Sequence, residues 1–289
     1  MPSPTDGSFD ALLPAAMAAK AEQVGVSKAA LPLHRLVPLG VLAGAFIGLG
    51  AHFSTVVTAG GGTSPGVARL LGGLVFSLGL ILVVVSGAEL FTGNTLIVIA
   101  CADRKVALRS LLRNWAVVYV ANFVGATATS LLVVWSGKLH AGDGSVGKRA
   151  LDIAASKSGL SVGEAVVSGV LANCLVCLAV WMTLSAHSLV DKIAVIIPPI
   201  TAFVAAGFEH SVANMYFFPT ALLHRAWAPD AYWATIDTPV GTYHEVSWSG
   251  FLVDNLLPVT VGNIIGGALL VGLIYWFVYL RTDPPGTQP

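Results

Sequence analysis

The sequence predicts an all-α polytopic membrane protein with six transmembrane helices in two inverted three-helix repeats, helices two and five being broken. Three observations predict it. Charged residues make up 10% of the 289-residue chain and apolar residues 55%, against about 25% charged in an ordinary soluble domain, and the mean hydropathy is +0.80. Six segments approach or exceed the roughly 20 apolar residues that a helix needs to cross a bilayer. Short polar patterns recur, in the same order, between the first three segments and the last three.

The composition excludes several function classes. A soluble globular enzyme and a disordered chain both need far more polar surface. Fifteen Lys and Arg balance fifteen Asp and Glu, so there is no basic stripe for nucleic acid. The expected surroundings are membrane lipids. Three Cys outside any framework exclude a disulfide scaffold, and Cys174 and Cys177 read as core packing. No pattern of metal ligands or cofactor motif occurs, so no cofactor, metal or catalytic residue is expected.

Residues 1–30 carry an N-terminal helix. The first ten residues lack the basic stretch of a secretion signal. Over 8–27, Phe9, Leu12, Leu13, Ala16, Met17 and Val24 share one face, with Ser8 as N-cap. This helix either packs on the membrane domain or gates a pore mouth. The channel domain occupies 31–282, and the polar tail 283–289 reads as disordered.

The six segments run at about 36–57, 68–100, 112–135, 163–186, 193–223 and 252–280. With the N-terminus inside, the inner parts hold nine basic residues: Lys20, Lys28, Arg35, Arg104, Lys105, Arg109, Arg113, Lys192 and Arg281. The outer parts hold six, Arg69, Lys138, Lys148, Arg149, Lys157 and Arg225. The bias puts both termini in the cytoplasm. Segments two and five are interrupted by SGAELFTGNT (86–95) and AGFEHSVANM (206–215). A continuous helix would place Glu89 or Glu209 in hydrocarbon. A broken helix buries the irregular backbone in protein or along a cavity.

The interruptions match. Gly87-x-Glu89-x4-Asn94 repeats as Gly207-x-Glu209-x4-Asn214, and Gly40-Val41-Leu42-Ala43 as Gly169-Val170-Leu171-Ala172. Asn114-x7-Asn122-x2-Gly125 repeats as Asn255-x7-Asn263-x2-Gly266. The repeats are therefore about 36–135 and 163–280. Three spans per half force the second half to insert upside down, with the special site where the two broken helices meet. Features shared by both halves read as structural, with direct ion handling the other reading of Glu89 and Glu209. Features of one half only are the stronger functional candidates. His210 faces Leu90 in the alignment, Thr92 faces Val212, and Asn173 faces Gly44. His210 is thus an unmatched titratable group in a helix break at membrane depth.

The stretches FSLGLILVVVSGAELFTGNT (76–95), LANCLVCLAVW (171–181), GFEHSVANMYFFP (207–219) and DNLLPVTVGNIIGGALLVGLIYW (254–276) resemble the formate/nitrite transporter family. FDALLPAAMAAKAEQVG (9–25) resembles its formate-channel branch. The resemblance implies an aquaporin-like protomer, a homo-pentamer with one pore in each protomer, a bacterial inner membrane, and formate as substrate. It also implies that Leu80, Leu90 and Phe203, with Phe76 near them, form two hydrophobic constrictions. His210 and Thr92 then lie between these toward the pore, and Asn173 and Asn263 are flanking polar contacts. Lys157, Glu209 and Asn214 join the polar network around the histidine. Gly93-Asn94 stands where some formate channels have Ser-Thr, and nitrite, hydrosulfide and lactate transporters share most of the pattern. A water or ammonia channel is the neutral-solute alternative. The mechanism expected is passage of a small monovalent anion through apolar rings that strip its water, with His210 donating a hydrogen bond or a proton.

Overall fold

The computed structural model describes residues 11–281. The predicted cap Ser8, the apolar Phe9 and the tail 283–289 lie outside the described residues. Helix α1 spans Pro14–Ala29. The membrane domain follows as α2 (Leu33–Val57), α3 (Pro65–Ser86), α4 (Phe91–Ala102) and α5 (Leu108–Trp135). Its second part is α6 (Ser145–Ser158), α7 (Val162–Ser185), α8 (Leu189–Ala206), α9 (Ser211–Trp227), α10 (Asp230–Thr235) and α11 (Gly250–Tyr279). Among the described residues, six helices are long and apolar enough to cross a membrane: α2, α3, α5, α7, α8 and α11. The expected segments agree with them to within a few residues, the interrupted ones being α3 with α4 and α8 with α9. Three features were not expected: α6 and the short α10, which stand where loops were read, and the wide π-type winding of Gly250–Leu256 and Ile265–Leu273 inside α11.

The three-helix units are built the same way. In the first, α2 packs along α5, and in the second α7 packs along α11, while α3 and α8 meet between them. Close approach depends on glycine. A Cβ at Gly44 would collide with the Asn122 carbonyl, and one at Gly266 with the Val170 carbonyl. In lipid, where no hydrophobic drive brings helices together, such small-residue contacts let backbones pack and carry much of the association.

Helix α1 lies against α4, and its buried face matches the predicted apolar one only in part: Met17 is buried and Leu12 packs beside it. Leu13 is 75% exposed, and Ala16 and Val24 are exposed too. Met17, Ala18, Ala21, Glu22, Gly25 and Ala29 are buried. Small residues allow the approach, and the buried Glu22 pairs with Lys105. Lys20 Nζ donates to the Leu184 carbonyl at 2.7 Å. The helix begins at Pro14, with Leu13 in extended backbone before it.

Candidate functional site: two vestibules and a dry plug

Each broken helix ends on a left-handed glycine, Gly87 (φ 72°) and Gly207 (φ 78°). That conformation costs glycine nothing and stops the helix. The chain then runs extended for three residues, and a second helix starts at Phe91 or Ser211. A break at membrane depth strands backbone groups that lipid cannot satisfy. One asparagine per half satisfies them. Asn122 accepts from Phe91 N (2.8 Å) and donates to the carbonyls of Glu89 (2.9 Å) and Gly40 (2.7 Å). Asn263 accepts from Ser211 N (2.9 Å) and donates to the carbonyls of Glu209 (3.0 Å) and Gly169 (2.8 Å).

The acidic residues are held in matching networks. Lys28 pairs with Glu89 Oε1 at 2.7 Å, and Asn94 Nδ2 donates to Glu89 Oε2 at 2.7 Å and to Asn114 Oδ1 at 2.9 Å. Asn114 Nδ2 closes the ring on the Lys28 carbonyl at 3.0 Å. In the other half Lys157 pairs with Glu209 Oε1 at 2.7 Å, and Asn214 Nδ2 donates to Glu209 Oε2 and Asn255 Oδ1, both at 2.7 Å. Asn255 Nδ2 returns to the Lys157 carbonyl at 3.2 Å. Each carboxylate is thus paired and hydrogen-bonded, as a buried charge must be.

The symmetry fails at the centre. His210 is the N-cap of α9. Its Nδ1 accepts from Ala213 N at 3.1 Å. In a neutral ring the proton then sits on Nε2, which donates to Thr92 Oγ1 at 2.9 Å. The Glu209 carboxylate faces Lys157 and the asparagines rather than this ring. Apolar side chains surround the pair. Phe203 lies 5.8 Å from the His210 ring, and Phe76 meets Phe203 edge-on at 5.5 Å. Phe76, Leu80, Leu90, Thr92, Phe203 and His210 are all between 0% and 3% exposed.

On either side of this plug lies a cavity. One, of about 220 Å³, is lined by Phe76, Phe203 and His210 and by the cations Arg69, Arg149 and Lys157. The other, of about 250 Å³, is lined by Leu80, Leu90 and Lys28. No lining residue is shared. The two cavities are separated by buried side chains, mostly apolar, among which the His210 imidazole and the Thr92 hydroxyl meet.

The sequence profile of formate/nitrite transporters matches residues 15–277. The chain belongs to the formate/nitrite transporter family. The formate channel FocA of Escherichia coli (strain K12) is 46% identical over 279 residues, 96% of this chain and 98% of that one. A solved structure described as a pentameric formate channel with formate bound has a TM-score of 0.82 at 42% identity, covering 86% of this chain and 98% of its own. An FNT family ion channel has a TM-score of 0.77 at 28% identity, covering 91% and 98%.

Within this formate/nitrite transporter, the predicted residues fall into three groups. Phe76, Leu80, Leu90, Phe203, Thr92 and His210 come together in the plug. Lys157 and Glu209 line one vestibule, with Asn214 behind them. Asn173 and Asn263 line neither vestibule. Asn173 Nδ2 grips the carbonyls of Asn263 (2.6 Å) and Thr92 (3.3 Å) and the Thr95 hydroxyl (3.3 Å). It fixes the backbone that presents Thr92. Sequence reasoning missed Lys28 as a site residue. The signal was available, since Lys28 precedes Gly40 by the same interval as Lys157 precedes Gly169. Arg149 was read only as an outer-loop charge.

Proposed function

We propose that this protein is a channel or transporter for formate and related small monovalent weak-acid anions. One pathway runs through each protomer of a homo-pentamer in a bacterial inner membrane. The observation that carries the reading is the plug: two vestibules separated by Phe76, Leu80, Leu90 and Phe203, with the His210–Thr92 pair as its polar contact. A bare anion loses its hydration in such a barrier and must recover it from fixed donors. Nε2–H of His210 is a donor of that kind, oriented by the bond that Nδ1 accepts from α9. A weak acid has a second option: it takes a proton and passes the apolar ring as a neutral molecule. The inverted arrangement of the halves, the cytoplasmic position of both termini and a gating role for α1 belong to the same proposal. Support comes from the matched networks around Glu89 and Glu209, the nine-to-six excess of basic residues in the inner parts, and the docking of α1 beside the Lys28 vestibule. Uptake of labelled formate, nitrite, hydrosulfide and lactate into proteoliposomes at two pH values tests it. Formate uptake above that of protein-free vesicles is the expected result. Permeation by water or ammonia alone contradicts it.

A further inference from the structure

The two vestibules are not electrically equivalent. The one beside His210 carries three cations, Arg69, Arg149 and Lys157, against two carboxylates, Asp152 and Glu209. The other carries Lys28 against Glu89. Within the first, the charges are committed differently. Lys157 is bonded to Glu209 at 2.7 Å. Asp152 Oδ1 accepts from the Tyr243 hydroxyl at 2.6 Å. Among the described residues, no carboxylate lies within salt-bridge distance of Arg149 or Arg69.

Arg149 is nevertheless held in place. Its Nε donates to Thr58 Oγ1 at 3.1 Å, and that hydroxyl donates to the Ser54 carbonyl at 2.7 Å. The anchor uses one edge of the guanidinium and leaves the two terminal nitrogens without a protein partner among the described residues. Burial, with Arg69 nearby, lowers the pKa of Arg149, opposed by Asp152. A guanidinium keeps its charge through such shifts. The result is a fixed, part-buried fork on the wall of a cavity of about 220 Å³, a volume with room for a small carboxylate.

We infer that this vestibule is a collecting site for planar two-oxygen anions, with Arg149 as the residue that sets its preference. The inference rests on the anion-transport reading above. The terminal nitrogens of a guanidinium match two oxygens of one carboxylate at once, whereas a lysine or a single-atom acceptor uses only charge. Formate and nitrite therefore gain from the fork, and hydrosulfide gains only from the field. The site loads the pathway ahead of the plug, so it governs apparent affinity and leaves the crossing step alone.

The test compares wild type, Arg149→Gln and Arg149→Lys in proteoliposomes, with initial uptake of labelled formate and of hydrosulfide measured against concentration. Reconstitution places both faces outward, so the change is read whichever side this vestibule faces. In Arg149→Gln the formate KM component belonging to this vestibule rises about tenfold, while the saturating rate stays within about twofold. Added impermeant salt shrinks the difference. Arg149→Lys restores hydrosulfide KM fully and formate KM only in part, which a merely structural role would not produce. Formate KM within about twofold of wild type in Arg149→Gln, or equal rescue of both anions by lysine, overturns the assignment. Wild-type vesicles that take up no formate contradict the transport reading instead, a separate result.

Discussion

Replacing Asn263 by alanine tests whether the helix breaks are held as the structure indicates. The side chain makes three buried bonds, to Ser211 N, the Glu209 carbonyl and the Gly169 carbonyl. Alanine strands all three groups. Each buried group left unpaired costs about 1–3 kcal/mol in a soluble protein, while hydrogen bonds inside membrane proteins average about 0.6 kcal/mol. The loss expected is therefore about 2–5 kcal/mol. Asn122→Ala removes the same three bonds in the other half, at nearly the same lengths, and should cost the same within about 1 kcal/mol. Reversible unfolding in mixed micelles of detergent and SDS measures both. The functional consequence differs, because Asn263 anchors the turn that carries His210 while Asn122 anchors the one that carries Leu90 and Thr92. A loss below about 0.5 kcal/mol in either variant, the level of an ordinary surface change, would refute the idea that these side chains hold the breaks.

Leu80→Ala and Phe203→Ala should each raise flux and weaken selectivity, since each opens the dry plug; ion-selectivity measurements in vesicles check this, and unchanged selectivity in both removes them from the barrier. Lys157→Met leaves the buried Glu209 unpaired and should destabilise by about 3 kcal/mol, whereas Lys157→Met with Glu209→Gln should recover most of that loss in the same unfolding assay. If α1 gates, closing the pathway at low pH, deletion of residues 1–27, which removes its Lys20 and Glu22 contacts, should leave uptake open at low pH; a truncated protein with the native pH profile of uptake leaves α1 a packing role only.

Much of this was legible in the sequence, for physical reasons. Spanning helices announce themselves by length and hydropathy, so their limits differ from the structure by only a few residues. The breaks were visible because Gly87 and Gly207 precede an acidic residue that hydrocarbon cannot hold. The asparagine pairs were visible because both halves need the same repair. Helix α6 was missed because VGKRALDIAAS lacks the hydropathy of a span, although Val146, Ala150, Leu151 and Ala154 do mark one apolar face that the fold buries. The buried face of α1 was read only in part, because beside Leu12 and Met17 its contact is made by alanine and glycine. Polar residues within apolar helices, such as Asn173 and Asn263, signalled a buried partner without saying which. Both turned out to bind backbone, and the vestibules are lined by others. Arg149 looked like solvated charge until α6 placed it on a cavity wall.

The central claim is that proton-coupled transport depends on His210 as the proton donor inside the plug. His210→Asn keeps similar bulk and a donor but cannot titrate near neutrality. Proteoliposomes containing a pH dye, given formate on the outside, report anion uptake and proton movement together. The expected result is loss of proton-coupled formate uptake, leaving an uncoupled anion leak or a pore that no longer closes at low pH. Formate and protons entering the His210→Asn protein in the wild-type ratio would contradict it, and would reduce His210 to a hydrogen-bond donor that does not relay protons.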